Sequence, residues 1–265
     1  MKLQTSTIDY WKEQFEYSLP GLLDSIKKQE SDTFLIGASL LDIYKTEGWI
    51  ADFSRETGDL DFTIEYFGNA DEYISVCDEL VSLGYKKDTE HPYRYHPQKK
   101  KGIYAYVDFL TFTTDSALKK KAQVLMSVGE LFNFEGMDFA KMLPLDFDGN
   151  IFLPNPLALI YLKMKSYYYN PERTKDFVDF LEVILRMSTE ATHLDQLKKI
   201  LEGSNQPEVL DDFDKMLYSI ENDKGSPWDL DDIKQEMESR RLLEEFEWDE
   251  IPATVEFFRV NVLPK

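Results

Sequence analysis

Asp59-Leu60-Asp61-Phe62-Thr63-Ile64-Glu65-Tyr66 is the stretch on which the fold turns. Leu60, Phe62 and Ile64 alternate with Asp59, Asp61, Thr63 and Glu65, a period of two that predicts a β-strand with one apolar and one polar face. On such a strand Asp59 and Asp61 share a face, with Cα atoms about 6.6 Å apart, while Leu60 enters the core. Two carboxylates converging in this way can bridge divalent ions about 3.5–4 Å apart, which activate an attacking hydroxyl and neutralise a phosphoryl group in transfer. The competing explanation is a solvated strand face, because a chain with 50 Asp and Glu residues contains several D-x-D combinations.

Upstream, Thr33 to Ile36 is a short β-type run ending at Gly37, and Ser39 to Tyr44 begins a helix. In this strand, glycine turn and helix, the small residues Gly37-Ala38-Ser39 let backbone N–H groups and the Ser39 hydroxyl approach a triphosphate at the helix N-terminus. Downstream, a helix is predicted from Ala70 to Leu83, with Asn69 and Glu72 at capping-box spacing and Gly84 as its stop. Ile103 to Phe112 is the next strand, rich in β-branched and aromatic residues. Asp108, between Val107 and Phe109, brings a third carboxylate to the same edge. Lys86 to Lys101 supplies a hairpin arm, and Asn150 to Leu153 is the last β-like stretch.

At the N-terminus Ile8, Trp11, Phe15, Leu19, Leu22 and Ile26 recur three or four apart, which predicts a helix divided by Pro20, with Ser18 near the cap of its second part. Beyond Pro154 and Pro156 the strong periodicities are helical: Leu157–Tyr169, Thr174–Met187, His193–Leu201, Val209–Ile220 and Leu230–Leu243. The expected architecture is α+β, with a mixed-sheet domain over 1–153 and a helical domain over 154–265.

A chain of 265 residues can bury a core without covalent staples. Cys77 is its only cysteine, which excludes an internal disulfide framework and cysteine-rich metal sites. Met1 to Asp32 lacks a signal pattern, and no apolar run approaches the roughly 18 residues that span a bilayer, so a cytoplasmic protein without membrane contact is expected. The formal net charge of −20 opposes broad binding to a phosphate backbone. Basic residues nonetheless cluster at Lys86, Lys87, Arg94, Lys99, Lys100 and Lys101, and again at Lys119-Lys120-Lys121.

The segment Phe34-Leu-Ile-Gly37-Ala38-Ser39-Leu-Leu, followed by Arg55-Glu-Thr57-Gly-Asp59-Leu-Asp61-Phe, resembles the signature of the polymerase-β-type nucleotidyltransferases, and is most similar to their AbiEii-like toxin branch. Pro154-Asn-Pro156-Leu-Ala-Leu-Ile-Tyr-Leu-Lys163-Met-Lys165-Ser166 and Arg173-Thr-Lys175-Asp176-Phe-Val-Asp179-Phe resemble a later segment of the same branch. The likeness spans Phe34 to Leu185. Ala38 departs from it, standing where a second glycine is usual, and so does Ser166, where alanine is common.

The resemblance implies a nucleotidyltransferase-like sheet domain. It also implies that Asp59, Asp61 and Asp108 hold Mg²⁺, or alternatively Mn²⁺, with Asp108 as the base. Gly37 and Ser39 would contact the nucleotide phosphates and Lys163 the triphosphate. The implied reaction moves a nucleoside monophosphate from an NTP to a hydroxyl of RNA such as tRNA, or of a protein, in a toxin with a cognate antitoxin or in phage defence. Two alternatives stay open: modification of a cationic small molecule such as an aminoglycoside, drawn by the acidic C-terminal part, and a catalytically silent NTP-binding or interaction module, for which Ala38 is the clue.

Other residues have plainer explanations. Lys175 and Asp179 are four apart, as in an ordinary surface ion pair. Arg55 is expected to pair with an aspartate or a phosphate, and His91 and His96 to be loop residues beside proline. Tyr167-Tyr168-Tyr169 either packs in the core or stacks on a base. The lysine runs either guide RNA or are simply solvated.

Overall fold

Strand β2 (Asp59–Glu65) lies in the middle of a seven-stranded mixed sheet, in the order β3-β4-β5-β2-β1-β7-β6. The other strands are β1 (Thr33–Ile36), β3 (Lys86–Lys87), β4 (Arg94–His96), β5 (Tyr106–Phe112), β6 (Leu145–Asp148) and β7 (Ile151–Leu153). β2 runs antiparallel to β1 and parallel to β5, and β1 runs parallel to β7. The computed structural model describes residues 2–51, 53, 57–115, 117–118, 137–142, 144–170, 172–187, 195, 198–199, 201–202, 207–222 and 230–262.

The alternation in β2 does what its period dictates. Leu60, Phe62 and Ile64 are buried on one face beside Leu35 of β1 and Val107 and Phe109 of β5. Helix α4 (Asp71–Ser82) covers that face: Tyr73 stacks on Phe109 with ring centroids 5.6 Å apart and donates its hydroxyl to the Phe109 carbonyl at 3.2 Å. The opposite face changes character along its length. Near Glu65 it is closed, with the Lys141 ammonium of helix α5 (Met137–Met142) 2.6 Å from both Glu65 oxygens. Near Asp59 and Asp61 it stays partly open.

Several local expectations are corrected. β5 begins at Tyr106 rather than Ile103, because the register pairs Tyr106 with Asp59, the first residue of β2, and nothing in β2 precedes it. Ser18 closes helix α1 (Thr5–Ser18), and helix α2 (Leu22–Lys27) starts after Gly21, whose φ of 77° turns the chain in a way that favours glycine. No capping box forms at α4: Asn69 accepts from the Asp71 N–H, while Glu72 accepts from the Ser31 N–H 41 residues away. β6, α5 and the last helix have no counterpart in the sequence reading. Helix α3 (Ser39–Thr46) follows β1 directly.

By internal contacts the chain forms two units, Met1–Glu47 with Glu56–Asn155, and Gly48–Arg55 with Pro156–Lys265. Gly48–Arg55 joins the second unit although it precedes the boundary expected at 153/154; in it Ile50 pairs with Met187 and the Ala51 N–H donates to the Arg186 carbonyl at 3.1 Å. The described elements of the second unit are otherwise helical: α6 (Pro156–Tyr169), α7 (Thr174–Arg186), α8 (Pro207–Asn222), α9 (Leu230–Ser239), two short 3₁₀ turns and α10 (Ile251–Val262). α9 stops four residues before Leu243, at a turn where Arg241 takes a φ of 60°. Most of the helix expected over His193–Leu201 lies outside the described residues. No helix among the described residues is long and apolar enough to cross a membrane.

Candidate metal centre

Strand register assembles the centre. The parallel pairing of β2 with β5 sets Asp61 beside Asp108 and Asp59 beside Tyr106, and the antiparallel pairing of β4 with β5 sets Arg94 beside Asp108. On the other side Ile36 of β1 is the partner of Asp61, so Gly37 comes next to it as the chain leaves the sheet. One oxygen from each of Asp59, Asp61 and Asp108 lies within 4.8 Å of the others, an arrangement that could hold a metal ion. An ion held by oxygens at about 2.0–2.6 Å brings them to within roughly 3–5 Å of one another, so the spacing fits a hard divalent cation.

Gly37 is fitted to this cluster. Its φ is +82°, and a Cβ there would fall 2.1 Å from Oδ2 of Asp61. Only a hydrogen leaves room for the carboxylate, and only glycine takes that backbone conformation without strain.

Asp108 is buried, and its charge is met by a fork. Nε of Arg94 donates to Oδ1 at 2.7 Å and a terminal nitrogen donates to Oδ2 at 2.8 Å, with the guanidinium carbon 3.9 Å from the centre of the Tyr106 ring. These hydrogen bonds raise the guanidinium pKa above its ordinary value. Thr57 donates its hydroxyl to the Asp59 carboxylate. The phenol of Tyr106 is pushed up by burial and then by the Asp59 charge. Tyr104 is fully buried, and its hydroxyl finds no hydrogen-bond partner among the described residues. Burial, followed by the nearby Asp42 charge, raises its pKa.

Ser39 and Lys163 are the other residues expected to contact the phosphates. Ser39 is buried in the first turn of α3, its hydroxyl 3.4 Å from the Ile36 carbonyl. Lys163 belongs to the helical unit, where its ammonium lies 2.7 Å from both Asp176 and Asp179 and Ser166 donates to Asp176 at 2.9 Å. Burial alone would lower the Lys163 pKa, but the facing Asp179 and Asp176 carboxylates outweigh it and leave the pKa raised. Asp179 is therefore not half of an exposed pair with Lys175. It is fully buried, and its second oxygen accepts from Arg240 at 2.7 Å.

Arg55 and Lys119 to Lys121 lie outside the described residues. Tyr167 is buried against Phe177, with centroids 4.9 Å apart. His96 is a strand residue bonded to Asp88 at 2.9 Å. Arg94 and Tyr106 join the cluster without being among the expected site residues. The alternation Arg94-Tyr95-His96 around a buried Tyr95 was the available signal, hidden by its three-residue length. In comparisons with known proteins, no family profile, no curated protein and no solved structure matches the chain.

Proposed function

We propose that this chain is a metal-dependent nucleotidyltransferase that moves a nucleoside monophosphate from an NTP onto a hydroxyl of RNA, such as tRNA, or of a protein. The observation that carries it is the convergence of Asp59, Asp61 and Asp108 from two parallel strands beside a glycine turn where a Cβ would displace the Asp61 carboxylate. Asp59, Asp61 and Asp108 would hold Mg²⁺, which supplies charge neutralisation at the transferring phosphoryl group. Gly37 leaves the Asp61 carboxylate the space that a Cβ would take. Thr57 orients Asp59. Toxin activity with a cognate antitoxin is the physiological setting this proposal favours, on the sequence resemblance alone.

The test is pyrophosphate release from each of the four NTPs, with Mg²⁺ and either total tRNA or cell lysate as acceptor. Release that stops on chelation of divalent ions supports the reading, and release that survives chelation overturns it. A second reading, an NTP-binding module without catalysis, is favoured by Ala38 in the turn and by the Arg94 fork on Asp108. Mn²⁺ and NTP binding without turnover of any NTP would select it.

A further inference from the structure

Arg94 is the cation that the sheet itself brings to the aspartate cluster. It stands in register opposite Asp108, and its fork engages both oxygens of the carboxylate expected to give one of them to the ion. We propose that Arg94 is an exchangeable counter-ion, which holds Asp108 in the ion-free protein and competes with the divalent ion for it, so that binding of the ion and release of Arg94 are one event. The proposal rests on the metal-centre reading above.

One electrostatic argument and two observations support the exchange. A dication and a guanidinium on one carboxylate sit only a few ångströms apart, where like charges in a partly buried site repel strongly. Of the two partners Arg94 is the one able to move, since its side chain is 21% exposed and that of Asp108 only 8%. Its guanidinium also lies over the Tyr106 ring at 3.9 Å, a contact separate from the fork that would steady the side chain once the fork opens. The guanidinium so released faces the ion site and offers its donors to an anionic substrate. The contrary arrangement, in which Arg94 permanently orients Asp108 for the ion, predicts the opposite sign, because removing an orienting partner weakens metal affinity by about 10–100-fold.

The experiment is Mn²⁺ binding to the full chain without nucleotide, followed by electron paramagnetic resonance, for wild type, Arg94→Gln, Arg94→Lys and Asp61→Asn. Arg94→Gln is expected to bind about tenfold tighter than wild type, as loss of a competing like charge implies, with Arg94→Lys between them and Asp61→Asn much weaker. Equal or weaker binding by Arg94→Gln overturns the exchange while leaving the metal centre intact. Absence of saturable Mn²⁺ binding in both wild type and Arg94→Gln overturns the metal centre and the exchange together. A second measurement needs no Arg94 variant to fold: the Arg94 side-chain N–H signal of the wild type, followed by NMR during Mg²⁺ titration, should lose its protection from exchange with water as the ion binds. Protection unchanged at saturating Mg²⁺ overturns the proposal.

Discussion

Two clusters of three carboxylates, one in each unit, differ in how deeply they are buried. Along α7, Asp176, Asp179 and Glu182 recur three apart on one helical face and are all buried. Each is met by cations: Asp176 by Lys163 and Arg173, Asp179 by Lys163 and Arg240, and Glu182 by Arg186 at 2.7 Å. In the sheet, Asp59 and Asp61 remain partly exposed, and Arg94 is paired with the buried Asp108. A buried carboxylate without a cation is too costly to keep, so the helical cluster has to be neutralised within the fold. A cluster that solvent reaches can take its counter-ion from outside. Burial, more than the number of acidic residues, decides how completely such a cluster must be neutralised within the fold.

The comparison breaks most readily at Lys163. Replacing Lys163 with Met removes the cation that buried Asp176 and Asp179 share, and the expected cost in a urea unfolding experiment is about 3–5 kcal/mol. Unchanged stability combined with lost NTP affinity would instead assign Lys163 to phosphate binding. Asp61→Asn should behave in the reverse manner. Its turnover should fall by about a hundredfold, the scale of a single electrostatic contributor to a transition state, while its melting temperature stays near that of wild type. A large drop in melting temperature would move the sheet cluster into the structural class.

Gly37→Ala sharpens the contrast with a smaller effect. A side chain at φ +82° whose Cβ falls 2.1 Å from Oδ2 of Asp61 must displace that carboxylate. The expected loss is about 1–2 kcal/mol of stability, accompanied by weaker Mn²⁺ binding. Mn²⁺ affinity equal to wild type would show that Asp61 is not held by the turn.

The smallest effect lies in acid. Burial raises the Asp176 carboxyl, but the Lys163 and Arg173 charges outweigh it and hold the pKa below its ordinary 3.8. A depressed native pKa contributes stability that is fully present above 3.8 and is lost as pH falls through the native value. Helical signal should therefore weaken progressively in titrations below about pH 4, and less steeply in Asp176→Asn, whose amide has no proton to gain. An identical acid slope in wild type and Asp176→Asn would remove Asp176 from the account.

The sequence by itself determined whatever is periodic over a few residues. The alternation from Asp59 to Tyr66 was enough to place two carboxylates on one strand face, and Gly84, with a φ of 92°, stops α4 where a chain-reversing glycine is expected. The α+β class and the helical character after Pro156 were legible for the same reason, because amphipathic spacing is written along the chain. Tertiary structure decided what depends on distant partners. Asp108 reaches Asp61 only through the parallel register of β2 and β5, set by Leu60, Phe62 and Ile64 packing beside Val107 and Phe109. Arg94 reaches Asp108 only because a three-residue strand, too short to show a period, pairs with β5. Lys163, Asp176 and Asp179 carry the same letters whether they face water or one another. Burial depends on what packs against a side chain, and no local spacing encodes that, so their role as a closed ion-pair network appears only once α6 and α7 are folded together.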